Sequence, residues 1–97
     1  MPPVVFTPAA RAEFFDAADW YEAHGDGLGA RFVGDLDALI SRLGEHPQQF
    51  PRVHREIRRA VLRKFPYALY FRVLPDAVQV IACFHASRNP RRWHERG

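Results

Sequence analysis

The segment His46-Pro47-Gln48-Gln49-Phe50-Pro51 places two prolines within six residues. Proline lacks an amide donor and its ring clashes with the preceding helical turn, so no helix can run through this segment. The chain is thereby cut into two stretches with different periodicity. Before the cut, apolar residues recur at helical spacing. Val4-Val5-Phe6 is a short β-prone start, and Thr7-Pro8 then gives a helix opening, with Thr7 as N-cap and Pro8 at the first helical position. A helix is expected from Ala9 to about His24. Phe14, Ala17, Ala18 and Tyr21 share one face, while Glu13, Asp16, Asp19 and Glu22 are mostly outward. Gly25-Asp26-Gly27 breaks this helix. A second runs from about Leu28 to Gly44 or Glu45, with Phe32, Val33, Leu36, Leu39, Ile40 and Leu43 as a continuous apolar stripe. So short a glycine-containing connection implies an antiparallel helical hairpin.

After the cut the pattern is β. Strands are expected over about Ile57–Lys64, about Ala68–Val73 and Val78–His85. Phe65-Pro66-Tyr67 forms a bend or bulge, and Leu74-Pro75-Asp76 a turn. Side chains alternate between the two sides of a strand. One set holds Ala60, Leu62, Leu69, Phe71, Val73, Val78, Val80, Ala82 and Phe84. It is wholly apolar and should meet the helices. The other holds Arg59, Val61, Arg63, Tyr70, Arg72, Gln79, Ile81, Cys83 and His85. It is mixed and cationic and should face outward. At 97 residues the chain has room for one core, so residues 1–97 form a single domain. The expected class is α+β, with the order β-α-α-β-β-β and a helical hairpin packed on one face of a small, mostly antiparallel sheet.

Charge follows the same division. Residues 1–48 carry three Arg against eight acids, net −5, and residues 49–97 carry ten Arg and Lys64 against three acids, net +8. Such asymmetry fits an anionic partner for the second half, or pairing between the two halves. Thirteen of the fourteen cations are Arg, the side chain best suited to bidentate contact with carboxylate or phosphate.

One cysteine, Cys83, excludes an internal disulfide and fits a reducing compartment. The first residues lack the apolar stretch and positive start of a signal peptide, and no apolar run approaches spanning length. A soluble, cytoplasmic protein without a membrane association is expected. Cys83, His85 and His94 match no standard zinc spacing, so no metal is expected. Ser87 has no evident base beyond His85. Gly25-x-Gly27-x-Gly29 joins helices instead of following a strand, which speaks against a phosphate loop. No cofactor is implied.

Several pieces, in order and at their spacing, carry a resemblance. They are Trp20-Tyr21-Glu22 near the end of an acidic first helix and Gly27-Leu28-Gly29-x-Arg31-Phe32 opening the second. Pro47-x-x-Phe50-Pro51 and Arg58-Arg59 … Phe65-Pro66-Tyr67-x-x-x-Phe71-Arg72 follow, then His85-x-x-Arg88-x-Pro90-x-x-Trp93. Together they resemble the RelE/ParE superfamily of type II toxins, in its ParE-like branch, often labelled plasmid stabilisation proteins.

The resemblance implies a growth-inhibiting toxin neutralised by a cognate antitoxin, which itself binds operator DNA. ParE-like members poison DNA gyrase by protein contact, without catalytic residues. That reading assigns Arg59, Arg63, Tyr70, Arg72, His85, Arg88 and Trp93 to target or antitoxin contact. RelE-like members cut mRNA in the ribosome, without a metal, by cationic stabilisation of the scissile phosphate and proton transfer. That reading would use His85, Arg63 and Arg88, with Arg59 and Arg72 as further phosphate binders and Glu56 in place of a glutamate some relatives use. The chain departs from RelE, which uses a pair of lysines and a C-terminal tyrosine: here Lys64 is the single lysine and no tyrosine follows Tyr70. Protein contact is therefore the preferred reading. A relative that has lost toxicity and survives as a binding module is a third.

Overall fold

The structure, a computed structural model, describes residues 2–87. Strand β1 (Val4–Phe6) leads into helix α1 (Pro8–His24), a tight turn and helix α2 (Leu28–Glu45). A 3-10 turn at Pro47–Gln49 follows, then β2 (Arg52–His54), β3 (Ile57–Val61), β4 (Tyr67–Val73) and β5 (Val78–His85). The five strands form one sheet in the order β1-β5-β4-β3-β2. Among the described strand pairs, β1–β5 alone is parallel. The expected architecture is therefore present, with β2 as an addition.

Both helices start and stop for local reasons. Thr7 caps α1, its Oγ1 accepting from the Ala10 amide at 3.2 Å, with Pro8 next to it. The turn into α2 uses Gly27 at φ +80°, a left-handed conformation that glycine adopts without strain. Glu22, from the last turn of α1, accepts from the Gly27 amide (3.2 Å) and the Gly29 amide (3.0 Å), satisfying donors at the start of α2.

The core lies between the hairpin and one side of the sheet. Phe32, Leu36, Leu39 and Leu43 of α2 and Ala10 and Ala17 of α1 meet Ala60, Leu62, Leu69, Phe71, Val78, Val80 and Cys83. An aromatic group of Tyr21, Phe32, Phe65 and Tyr67 closes one end of it. The Tyr21 and Phe32 rings are 5.2 Å apart, and Phe65 is 4.8 Å from Tyr21 and 5.4 Å from Phe32.

Three departures from expectation have physical causes. First, residues 52–54 are a strand where a plain connection was expected. As the outermost strand it can follow a proline, because only one side needs a partner; the Pro51 carbonyl still accepts from the Arg59 amide at 3.1 Å. Second, β3 stops at Val61, short of Lys64. The Leu62 amide turns to the Tyr67 carbonyl (2.9 Å), and the amides of Lys64 and Phe65 turn to the carboxylate of Asp35.

Third, the alternation of β5 slips. Tyr70 pairs with Ala82 but Phe71 pairs with Val80, so the register passes over Ile81 in a bulge. Beyond it each side chain has changed sides. Cys83 joins the core under the helices, and His85 lies on that side too. Ala82 and Phe84, expected in the core, instead form a second buried cluster with Ile57, Ala68, Tyr70 and Ile81 on the opposite side of the sheet.

Candidate functional site

The side of the sheet away from the helices carries Arg59 and Arg72 in defined positions. Arg59 lies opposite Tyr70 across the β3–β4 pair, and Arg72 lies opposite Gln79 across β4–β5. Arg59 donates through Nε to the Tyr70 hydroxyl at 3.1 Å and through Nη2 to the Ala86 carbonyl at 3.4 Å. Its guanidinium carbon is 5.9 Å from the Tyr70 ring centroid. Arg72 donates through Nε to Gln79 Oε1 at 2.9 Å. A guanidinium has five N–H donors, so these contacts set its orientation and leave donor capacity for a carboxylate or phosphate. The clustered apolar residues of this side are buried, and Tyr70 itself is 3% exposed. What the side presents is therefore the half-buried Arg59 and Arg72, with Val61 at 44% exposed between β3 and solvent.

Arg63 is exposed but lies past the end of β3, in the connection to β4. It is not part of the strand row expected for it. Arg58 does a structural job. It faces the helix side, opposite Phe71, and its Nη1 donates to the Phe50 carbonyl (2.6 Å) and the Gln48 carbonyl (3.3 Å). Arg88 and Trp93 lie outside the described residues.

His85 belongs to a different place. Because of the bulge it lines an open groove of about 700 Å³ between α1 and the ends of β4 and β5, with Glu13, Asp16, Trp20, Tyr21 and Tyr67. Its ring stands edge-on to Tyr67, with centroids 5.4 Å apart. Its Nδ1 accepts from the Ser87 amide at 3.2 Å and is 2.8 Å from the Ser87 hydroxyl. An amide N–H can only donate, so Nδ1 is the acceptor in the Ser87 amide contact. The expected grouping of His85 with the sheet arginines is thus not formed. It shares the lining of the groove with two carboxylates and three aromatic rings.

Other residues shape the site although the sequence suggested no site role for them. Glu13 Oε1 accepts from the Cys83 amide at 3.1 Å and ties α1 to β5. Trp20 is 55% exposed and forms a wall of the groove. The Tyr21 hydroxyl is held above its ordinary pKa by burial and, secondarily, by Tyr67. An unusual residue type marks none of them; only their alignment on the Glu13–Asp16–Trp20 side of α1, one and two helical turns apart, could have signalled a shared wall. Among the described residues no helix is long and apolar enough to cross a membrane.

Comparison with known proteins places this geometry. Residues 4–90 match the family model described as ParE toxin of type II toxin-antitoxin system, parDE. The chain is 27% identical over 79 residues to Toxin ParE2 of Mycobacterium tuberculosis, in strain H37Rv and equally in strain CDC 1551 / Oshkosh, covering 80% of this chain and 75% of theirs. Its backbone superposes with a TM-score of 0.78 on a chain of the chromosomal ParDE TA system from P. aeruginosa. That match covers 90% of this chain and 98% of the other at 21% identity, a likeness of fold. The order of elements, the helical hairpin on one side of the sheet and the match along nearly the whole length agree: the chain belongs to the ParE toxin family of type II toxin–antitoxin systems.

Proposed function

We propose that this toxin inhibits growth by binding a cellular protein, with DNA gyrase as the leading target, and that a cognate antitoxin neutralises it in the cytoplasm. Operator DNA would be reached only through the antitoxin. The observation that carries the reading is the separation of His85 from the sheet arginines. Arg59 and Arg72 stand on one side of the sheet, oriented by Tyr70 and Gln79, while His85 sits on the other beside Glu13 and Asp16. Cleaving RNA needs cations around the scissile phosphate and a proton donor within reach of it. Two carboxylates line the same groove as the histidine and disfavour a phosphate there. Recognition of a protein asks only for shape and oriented donors, and the Arg59–Val61–Arg72 side supplies both. An antitoxin partner is supported by the family and by the ParDE system to which the fold is similar.

The test is induction of the chain in a host, followed by three measurements. Growth arrest, loss of supercoiling by purified gyrase, and no new 5′ ends on cellular mRNA by primer extension are the expected results. Growth arrest with unchanged supercoiling would remove gyrase as the target. New mRNA ends that vanish in a His85→Ala, Arg63→Ala double variant would replace protein contact with ribosome-dependent cleavage. Co-expression with the neighbouring open reading frame should restore growth and give a complex that co-purifies.

A further inference from the structure

Asp35 is the one buried charged side chain among the described residues, 8% exposed, in the middle of the apolar stripe of α2. A carboxylate there is costly unless its oxygens are hydrogen-bonded. Its Oδ2 accepts from two successive amides of the β3–β4 connection, Lys64 at 2.8 Å and Phe65 at 3.2 Å. Those are charge-assisted bonds, stronger than neutral ones. The same connection is fixed at four further points. Phe65 inserts its ring against Tyr21 and Phe32, and the Pro66 carbonyl accepts from the Ala86 amide at 2.7 Å. The Leu62 amide reaches the Tyr67 carbonyl, and the Tyr67 amide reaches the Phe65 carbonyl at 2.8 Å. Connections on a protein surface are ordinarily its most mobile parts. Here the backbone is clamped from below while the two adjacent cations, Arg63 and Lys64, stay exposed.

We infer that the Arg63–Lys64 tip is a pre-organised binding element for paired carboxylates of the antitoxin, and that Asp35 is its positioning residue. The inference rests on the reading that an antitoxin covers this toxin, and adds where and through which chemistry. The carboxylate of Asp35 engages backbone donors, so the loop is stiffened while its side-chain cations stay exposed. Fixing the backbone that carries two cations before binding removes part of the ordering cost from association. Val61, exposed two residues before Arg63, supplies apolar contact beside the charges. That mixture fits an acidic segment with interspersed apolar residues better than a nucleic-acid backbone. The Glu13 and Asp16 carboxylates, which line the groove that includes Pro66 and Tyr67, add repulsion against a continuous polyanion.

The probe is an acetylated hexapeptide in which pairs of glutamates alternate with valine, titrated into the full-length chain at low salt and followed by amide chemical shifts. The largest shifts are expected at Arg63, Lys64 and Phe65. The Arg63→Ala, Lys64→Ala double variant, altered only at exposed positions, should lose at least about tenfold in affinity. Asp35→Asn should lose about threefold or more, and the same double replacement made in the Asp35→Asn chain should cost less than about threefold. That coupling separates positioning from a merely structural role, which would lower the melting temperature without changing what the two cations contribute. Shifts centred elsewhere, or equal costs in both backgrounds, overturn the inference. If Asp35→Asn does not fold, the exposed double variant alone decides, because unchanged affinity there removes the tip. Should the peptide bind the tip but the neighbouring gene product fail to co-purify, the antitoxin reading falls alone. Should the complex form with affinity indifferent to Arg63 and Lys64, this inference falls alone.

Discussion

Glu22 holds Gly29 across the turn between the helices, its Oε1 3.0 Å from the Gly29 amide. The approach is close because Gly29 has no side chain. A Cβ there would stand 2.9 Å from the Ala18 carbonyl oxygen and 3.0 Å from the Glu22 Cβ. The first neighbour is backbone of the packed partner helix and cannot move aside. Gly29→Ala is therefore expected to destabilise the fold by about 1–3 kcal/mol, as over-packing does. Gly34, in the interior of the same helix, has nothing within 4 Å of its would-be Cβ. Gly34→Ala is expected to stabilise by ~0.5–1 kcal/mol through helix propensity alone. Urea unfolding of both variants checks the pair; equal signs would contradict the close-approach account.

Cys83 tests the slipped register of β5. Continued alternation would put it on the outward side, but the bulge at Ile81 turns it into the core opposite Leu69, 2% exposed. Cys83→Ser, which buries a hydroxyl among apolar side chains, should cost about 1–3 kcal/mol. A thiol reagent should react slowly with the folded chain and rapidly in denaturant. Fast reaction under native conditions would show that Cys83 is not packed in the core.

This register also marks where sequence reasoning stops. The helices are legible to within a residue because Thr7-Pro8, Gly25-Asp26-Gly27 and Pro47 are local signals, and each acts on the backbone where it stands. Strand β5 is legible in extent, Val78–His85, because β-branched and aromatic residues run through it. Its faces are not, because Ile81-Ala82-Cys83-Phe84 is apolar throughout and both sides of the sheet are buried there; a slip leaves no polar residue misplaced. Arg59, Tyr70 and Arg72 lie before the bulge, and their common side was correctly expected. His85 lies after it, and its side was not. Asp35 looks in sequence like one more acid on a helix. Its partners lie 29 and 30 residues away, beyond any local pattern.

Arg58 should act as a clamp on the edge of the sheet. Its guanidinium holds the carbonyls of Gln48 and Phe50, and the Phe50 ring packs edge-on to Phe71 at 5.9 Å. Arg58→Ala leaves those carbonyls without a charged donor and should cost about 1.5–3 kcal/mol, the scale of hydrogen bonds to charged groups. The loss should be local. Hydrogen exchange is expected to accelerate at Arg59, whose amide bonds to the Pro51 carbonyl, and much less at Leu62. Uniform acceleration across the sheet would show that Arg58 supports the whole fold instead of its edge.

Tyr21 should make stability fall at alkaline pH. Its hydroxyl is held above the usual value near 10, first by burial and then by the neighbouring Tyr67. The folded chain thus keeps this proton more tightly than the unfolded chain does. Its contribution to stability is whole below the unfolded pKa and is lost as pH rises through the raised folded value, because the unfolded state ionises first. In Tyr21→Phe that group is gone, and with it its coupling to Tyr67. Unfolding free energies measured from about pH 9 to 11.5 should therefore decline less steeply for the variant than for the parent chain. Parallel curves would show that Tyr21 ionises equally easily in both states, and that its place between Phe32, Phe65 and Tyr67 does not disfavour the charged form.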